Sequence, residues 1–155
     1  MLRILTDLQP DIHHHFSEKE NLMLQEKYLT DKIIGAYYKV YNSLGYGFLE
    51  KVYEKALAFE LTKLGLKVSR QQSIKVYYEG ELIGDYIADV IVNDKVIIEL
   101  KAAEAIHPSH KSQLINYLRA TEIEIGLLLN FGPEPQFARK YFSNERKNLP
   151  RHYSL

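Results

Sequence analysis

Apolar positions along this chain follow two periods, and the changes between them mark out the elements. Thr30-Asp31 offers an N-cap, and Ile33, Ile34, Tyr37, Val40, Tyr41 and Leu44 then recur at helical spacing. Gly45 and Gly47 end that helix, since glycine accepts backbone angles that other residues avoid. A second helix is predicted from about Phe48 to Leu64, with Leu49, Val52, Tyr53, Ala56, Leu57 and Leu64 facing inward and Gly65 as its stop. The pattern becomes extended over 67–72 and again over 73–78, where Ile74, Val76 and Tyr78 alternate with Lys75 and Tyr77. Glu79-Gly80 turns the chain into Leu82-Ile83, and two apolar runs follow between Tyr86 and Ala102, separated by the polar tip Asn93-Asp94-Lys95. After a loop at 103–107, Pro108 opens a helix to about Ala120, with His110, Gln113, Leu114 and Tyr117 on one side. Ile125 to Phe131 reads as a buried strand ended by Gly132-Pro133, and the tail from Glu134 reads as a basic, partly helical surface. The predicted order is α-α-β-β-β-β-α-β: an α/β (α+β mixed) fold with a mixed sheet flanked by helices.

The hairpin register decides where its charged residues fall. A two-residue loop would leave Asp89 and Glu99 on opposite faces, whereas a three-residue loop, Asn93 to Lys95, pairs Val92 with Val96 and sets Asp89 opposite Glu99. Only the second register gives a continuous apolar face, with Tyr86, Ala88, Val90 and Val92 against Val96, Ile98 and Leu100. That register is the predicted one. Ile87, Asp89 and Ile91 then share one face, as do Ile97, Glu99 and Lys101.

With 155 residues, of which 46% are hydrophobic, one domain with a full core is expected at 29–155. Residues 1–28 read as an N-terminal extension, partly helical, that packs loosely or mediates self-association into a homo-oligomer. His13, His14 and His15 lie in that extension, but adjacent side chains point in different directions and do not converge on one ion. The chain has no cysteine, which excludes disulfides, zinc–thiolate sites and a thiol nucleophile and fits a cytoplasmic setting. No membrane span and no signal-peptide core are expected. Lys and Arg balance Asp and Glu at 20 each, so any nucleic-acid contact must come from a local patch.

The hairpin supplies the candidate chemistry. Ionised groups on a buried strand cost several kcal/mol each unless a partner or a metal compensates them. Asp89, Glu99 and Lys101 converging on one strand pair form a site for a hard divalent cation, which takes oxygen ligands and completes its shell with water and substrate phosphate. A plain ion pair with Lys101 is the structural alternative. Glu50 stands in a first helical turn, where the positive helix end alone would stabilise it. Gln113 and Tyr117, one turn apart, either reach a phosphate or a base or cap the sheet. In the tail, Arg139 and Lys140, with Arg146, Lys147 and Arg151, either bind a phosphate backbone or form a solvated face.

Gly47-Phe48-Leu49-Glu50-Lys51-Val52-Tyr53 matches G-x-x-E-x-x-Y. Together with Ala88-Asp89, Glu99-Leu100-Lys101, Gln113 to Leu118 and Gly126 to Gly132, it resembles the GxxExxY family of the PD-(D/E)XK nuclease superfamily. The likeness covers roughly Asp31 to Phe142; one departure is Ala88, where the superfamily name has Pro. The resemblance implies a restriction-endonuclease-like core and a Mg²⁺- or Mn²⁺-dependent nuclease acting on DNA or RNA. It implies Asp89, Glu99 and the Leu100 carbonyl as metal ligands, and Glu50 as a helix-borne acid of the same shell. Lys101 then positions the attacking water, while Gln113 and Tyr117 look like a Q-x-x-x-Y substrate motif. A non-catalytic nucleic-acid-binding or protein-interaction module that keeps the fold is the competing expectation, and a restriction-like toxin or defence component a third.

Overall fold

The computed structural model describes residues 16–149, so the His13–His15 run and Arg151 lie outside the described residues. Helix α1 spans Glu18–Leu44 and begins earlier than the Thr30-Asp31 cap expected from the sequence. Its N-cap is Ser17, in a reciprocal capping box with Glu20. Thr30 is instead a buried mid-helix residue whose hydroxyl donates to the Lys27 carbonyl (3.0 Å). Most residues before Leu29 are exposed, and Ile33, Ala36, Tyr37 and Val40 then form the buried stripe. Gly45, at φ 65°, ends the helix by donating its N–H to the Tyr41 carbonyl.

Helix α2 spans Glu50–Lys63 and buries Tyr53, Glu54, Leu57, Ala58 and Leu61. Leu49, Val52 and Leu64, expected to face inward, are exposed instead, because the buried stripe is rotated toward Glu54 and Leu61.

The two extended stretches 67–72 and 73–78 are one strand, β1 (Val68–Tyr78). It turns at Glu79-Gly80, both at positive φ, into β2 (Glu81–Val92). Strand β3 (Val96–Lys101) follows a tip in which Asn93 and Asp94 both adopt φ 52°. Helix α3 (Pro108–Arg119) crosses to β4 (Ile125–Phe131), which runs parallel to β3. The basic tail folds as an edge strand, β5 (Pro135–Tyr141), antiparallel to β4, and not as a helix. It is followed by a short 3-10 turn at Asn144–Arg146. The five strands lie in the order β1-β2-β3-β4-β5.

Val92 pairs with Val96 and Val90 with Ile98, so the three-residue loop is confirmed. The expected continuous apolar face is not. Val90 and Val92 pack with Val96, Ile98, Leu100 and the helices α1 and α2. Ala88 packs with Ile91, Ile97 and α3 on the other side, and Tyr86 lies against Tyr117 of α3. Residues two apart on a strand share a face, so the chain switches faces between Ala88 and Val90. Asp89 is at the switch, and Ile87 is exposed rather than buried beside Ile91.

The loop after β3 is tied to β4 by buried Asn130, whose side chain accepts from the Ala103 N–H and donates to the Ala103 carbonyl, each at 3.0 Å. Gly132 lets the backbones meet there, since a Cβ would stand 2.3 Å from the Ala103 carbonyl oxygen. Gly132→Ala is therefore expected to destabilise the fold by about 1–3 kcal/mol in urea unfolding, through steric displacement of the 102–104 segment.

Candidate active site

Strand β2 pairs with β3 only over Val90–Val92 and then leaves it, continuing with β1 as a two-stranded arm. In the fork so formed the ladder is closed by side chains. The Asp89 N–H donates to Glu99 Oε1 (3.1 Å), and the Leu100 N–H donates to Asp89 Oδ2 (2.9 Å). Each carboxylate thus replaces a carbonyl that the departing strand no longer offers. Glu99 is buried, while Lys101, at the end of β3, is half-buried.

Burial and the neighbouring Asp89 push the Glu99 carboxyl up to about 8, against the opposing pull of Lys101. Asp89 is raised as well, first by burial and then by the charge of Glu54, while the Leu100 N–H holds it down. The donors are all oxygen, and two carboxyls crowded in a fork gain from a divalent cation what they lose by mutual repulsion. That set fits Mg²⁺ or Mn²⁺, with the Leu100 carbonyl as the adjacent backbone oxygen.

Helix α3 closes one side of the fork. Gln113 Nε2 donates to the Tyr117 hydroxyl (2.9 Å), and burial together with the charge of Glu99 pushes that phenol up to about 12. His110, one turn earlier, is lowered by burial and by Lys101 and His107, against the opposing pull of Glu50. From this corner a groove of about 970 Å³ runs along α3, lined among others by Tyr86, Asn116, Tyr117, Arg119 and Arg146. Among the described residues that line it, none is acidic.

Glu50 is placed differently. It is the first residue of α2, exposed, and lines a separate cavity of about 580 Å³ with Ala102, Ala103 and Glu104. Among the described residues no three Asp, Glu, His or Cys side chains converge as a metal-holding group, so Asp89 and Glu99 meet without Glu50. Tyr53 of the same heptapeptide is buried; its hydroxyl donates to the Gly45 carbonyl (2.7 Å) and accepts from the Phe48 N–H (3.2 Å). Its ring stacks on Phe131 at 4.1 Å. The residue thus fastens the turn that presents Glu50.

Arg139 and Lys140 point to opposite faces of β5. Arg139 lies 3.8 Å from Asp31 of α1, and Lys140 sits between Ala138 and Phe142, which pack on the α3 side. The sequence reading missed Glu54. It is buried and ion-paired to Arg70 (2.5 Å), and it hydrogen-bonds Gln71. The signal was present, because Glu54 interrupts the stripe Leu57, Ala58, Leu61 one turn before it.

A profile of the PD-(D/E)XK nuclease superfamily matches residues 27–141. Among curated proteins none matches. A solved structure, the crystal structure of SSO0001, superposes with a TM-score of 0.48 at 19% identity, over 79% of this chain and 62% of that one. The chain thus spans less than two thirds of that neighbour's length. No helix among the described residues is long and apolar enough to cross a membrane.

Raised acid pKa values make the metal-free protein less stable as pH rises. Between the ordinary glutamate value of 4.5 and about 8, the folded state holds a proton on Glu99 that the unfolded chain has released. Stability should fall across that window, with Asp89 contributing in the same direction. Glu99→Gln should flatten the fall, as read from urea midpoints at pH 5 and pH 8 in a chelator.

Proposed function

The chain belongs to the PD-(D/E)XK nuclease superfamily, and from that footing we propose that it is a metal-dependent phosphodiesterase cleaving DNA or, as the second choice, RNA. The observation that carries the reading is the meeting of Asp89 and Glu99 in the fork, with Lys101 beside them. We assign the chain to the GxxExxY branch on Gly47, Glu50 and Tyr53. Residues 29–155 form the nuclease domain of this proposal, preceded by the extension.

Asp89, Glu99 and the Leu100 carbonyl would hold Mg²⁺ or Mn²⁺, and Glu50 would act from the neighbouring helix start. The ion supplies charge neutralisation at the phosphoryl oxygens and an acidified water. Lys101 orients the attacking water and offsets the negative charge that grows on the phosphoryl group. Water forms the new P–O bond and gives up a proton to solvent, the bond to the leaving oxygen breaks, and that oxygen takes up a proton. Gln113 and Tyr117, already joined, offer donors to a phosphate at the mouth of the groove. Arg119 and Arg146 then extend a surface for the nucleic-acid backbone that holds no carboxylate among its described lining residues. Lys140 lies on the same side, and Arg139 contributes from the opposite face of β5.

One observation favours the alternative of a non-catalytic module: one oxygen of each fork carboxyl already serves a backbone N–H. Calorimetry separates the two readings. A proton held on Glu99 near neutral pH must leave when a cation binds, so the heat of Mg²⁺ binding should vary with the ionisation enthalpy of the buffer. Asp89→Asn and Glu99→Gln should lose that binding and cleave oligonucleotides at least about a hundredfold more slowly. A wild-type protein that binds no Mg²⁺, with or without oligonucleotide, would leave the module reading standing.

The two β5 cations are expected to differ. Lys140→Ala should reduce the salt dependence of oligonucleotide binding by about 0.7–0.9 log unit per lost contact. Arg139→Ala should reduce it less, since Asp31 already faces its guanidinium. Equal slopes for wild type and both variants would return the residues to ordinary solvated surface.

A further inference from the structure

We infer that Glu54 is a positioning residue for Asp89, acting through a kink that it clamps in β1. Strand β1 pairs with β2 on one register from Val68 to Val76, with Arg70 opposite Val90 and Gln72 opposite Ala88. The position between them, Gln71 opposite Asp89, is missing from the ladder, and Gln71 has φ 52°. This left-handed angle is uncommon for a non-glycine residue inside a strand, and it must be held by something.

Glu54 holds it. Its Oε2 accepts from Arg70 Nε (3.2 Å) and Nη2 (2.5 Å), and its Oε1 accepts from the Gln71 side chain. Adjacent residues of a regular strand point to opposite faces and cannot both reach one carboxylate so placed. Here they do, because the kink turns Gln71 toward α2. Beyond it the strand has changed faces. Arg70 reaches toward α2, while Ile74, four residues on, packs against α3's side of the sheet. Strand β2 makes the same switch at Asp89, between Ala88 and Val90. The two switches lie opposite one another, so they are one feature crossing both strands.

That feature lets Asp89 leave the regular alternation and turn its carboxyl to the Leu100 N–H and Glu99. A buried carboxylate of α2, hydrogen-bonded to Arg70 and Gln71 rather than to Asp89 or Glu99, is thereby given a role. Glu54 fixes the register-breaking geometry from behind, through β1.

The inference goes beyond the nuclease reading, since its test reads the fork and not cleavage. Amide hydrogen exchange of the metal-free protein reports the Leu100 N–H, which Asp89 accepts. In Glu54→Gln that amide should lose about tenfold or more of its protection relative to the Ile98 and Leu127 amides, which report the sheet as a whole. The double variant Glu54→Gln with Gln71→Gly should recover most of it, because glycine adopts φ 52° without a clamp. Should Glu54→Gln fail to fold, Gln71→Val keeps the Glu54–Arg70 pair but resists the left-handed angle, and should show the same local loss. Protection that falls equally at Leu100, Ile98 and Leu127, or is unchanged at Leu100, would overturn the positioning role. Mg²⁺ titration of the wild type decides the nuclease reading separately, whatever the exchange pattern is.

Discussion

A β-ladder that must stop in a buried place is the constraint on which this structure turns. Where β2 departs from β3, backbone donors would be left without acceptors, at a cost of about 1–3 kcal/mol for each unsatisfied group. Asp89 and Glu99 supply the acceptors, and the Asp89 and Leu100 N–H groups are thereby satisfied. The solution concentrates two acids in one buried fork, which raises both of their proton affinities. Architecture and chemistry therefore share the same oxygens. Whatever binds in the fork must work with carboxyls already oriented by the backbone.

The departure of β2 also determines what surrounds the fork. Beyond Asp89 the β1–β2 arm presents its other face to α3, so Tyr86 reaches Tyr117 and the groove opens between arm and helix. On the near side the sheet remains a conventional two-sided layer. Helices α1 and α2 cover one face through Ile33, Tyr37, Leu57 and Leu61, and α3 covers the other through Leu114 and Leu118. Tyr37 stitches the layers together, its hydroxyl donating to the carbonyls of Asn130 and Gln136. A rigid double core thus carries an arm that has rotated by one face, and the site lies at the boundary.

Much of this was legible in the sequence, for identifiable reasons. The hairpin register followed from the length of the tip, because only one register kept Val90 and Val92 with Val96 and Ile98. Helix α3 and strand β4 were bounded by Pro108 and Gly132. The face switch was not legible, because Tyr86 and Ala88 satisfy the alternation rule on paper and only Gln71, on the neighbouring strand, reveals the break. Strand β5 was missed because an edge strand with one solvated side needs no apolar alternation, and its Arg139 and Lys140 resemble a basic surface helix. The start of α1 was read too late, although Ser17 and Glu20 stand at capping-box spacing. A helix whose first turns are exposed lacks the apolar stripe by which helices are recognised.

Helix α2 shows how the charges of the site are balanced. Glu50 and Glu54 are one turn apart, yet Glu50 is exposed beside a cavity and Glu54 is buried against Arg70. Glu54 therefore brings its own cation, Arg70, although its charge still helps to raise Asp89. What remains in the fork is Asp89, Glu99 and Lys101. With its carboxyl pushed up to about 8, Glu99 keeps a proton near neutral pH, so the two fork acids do not both carry charge there. The proton held on Glu99 thus reduces the negative charge of the metal-free fork. An anionic phosphate approaching along the groove would meet no carboxylate among its described lining residues. Were the proposed cation to bind, it would displace that proton, so the charge that would repel a phosphate would arrive together with the ion that cancels it.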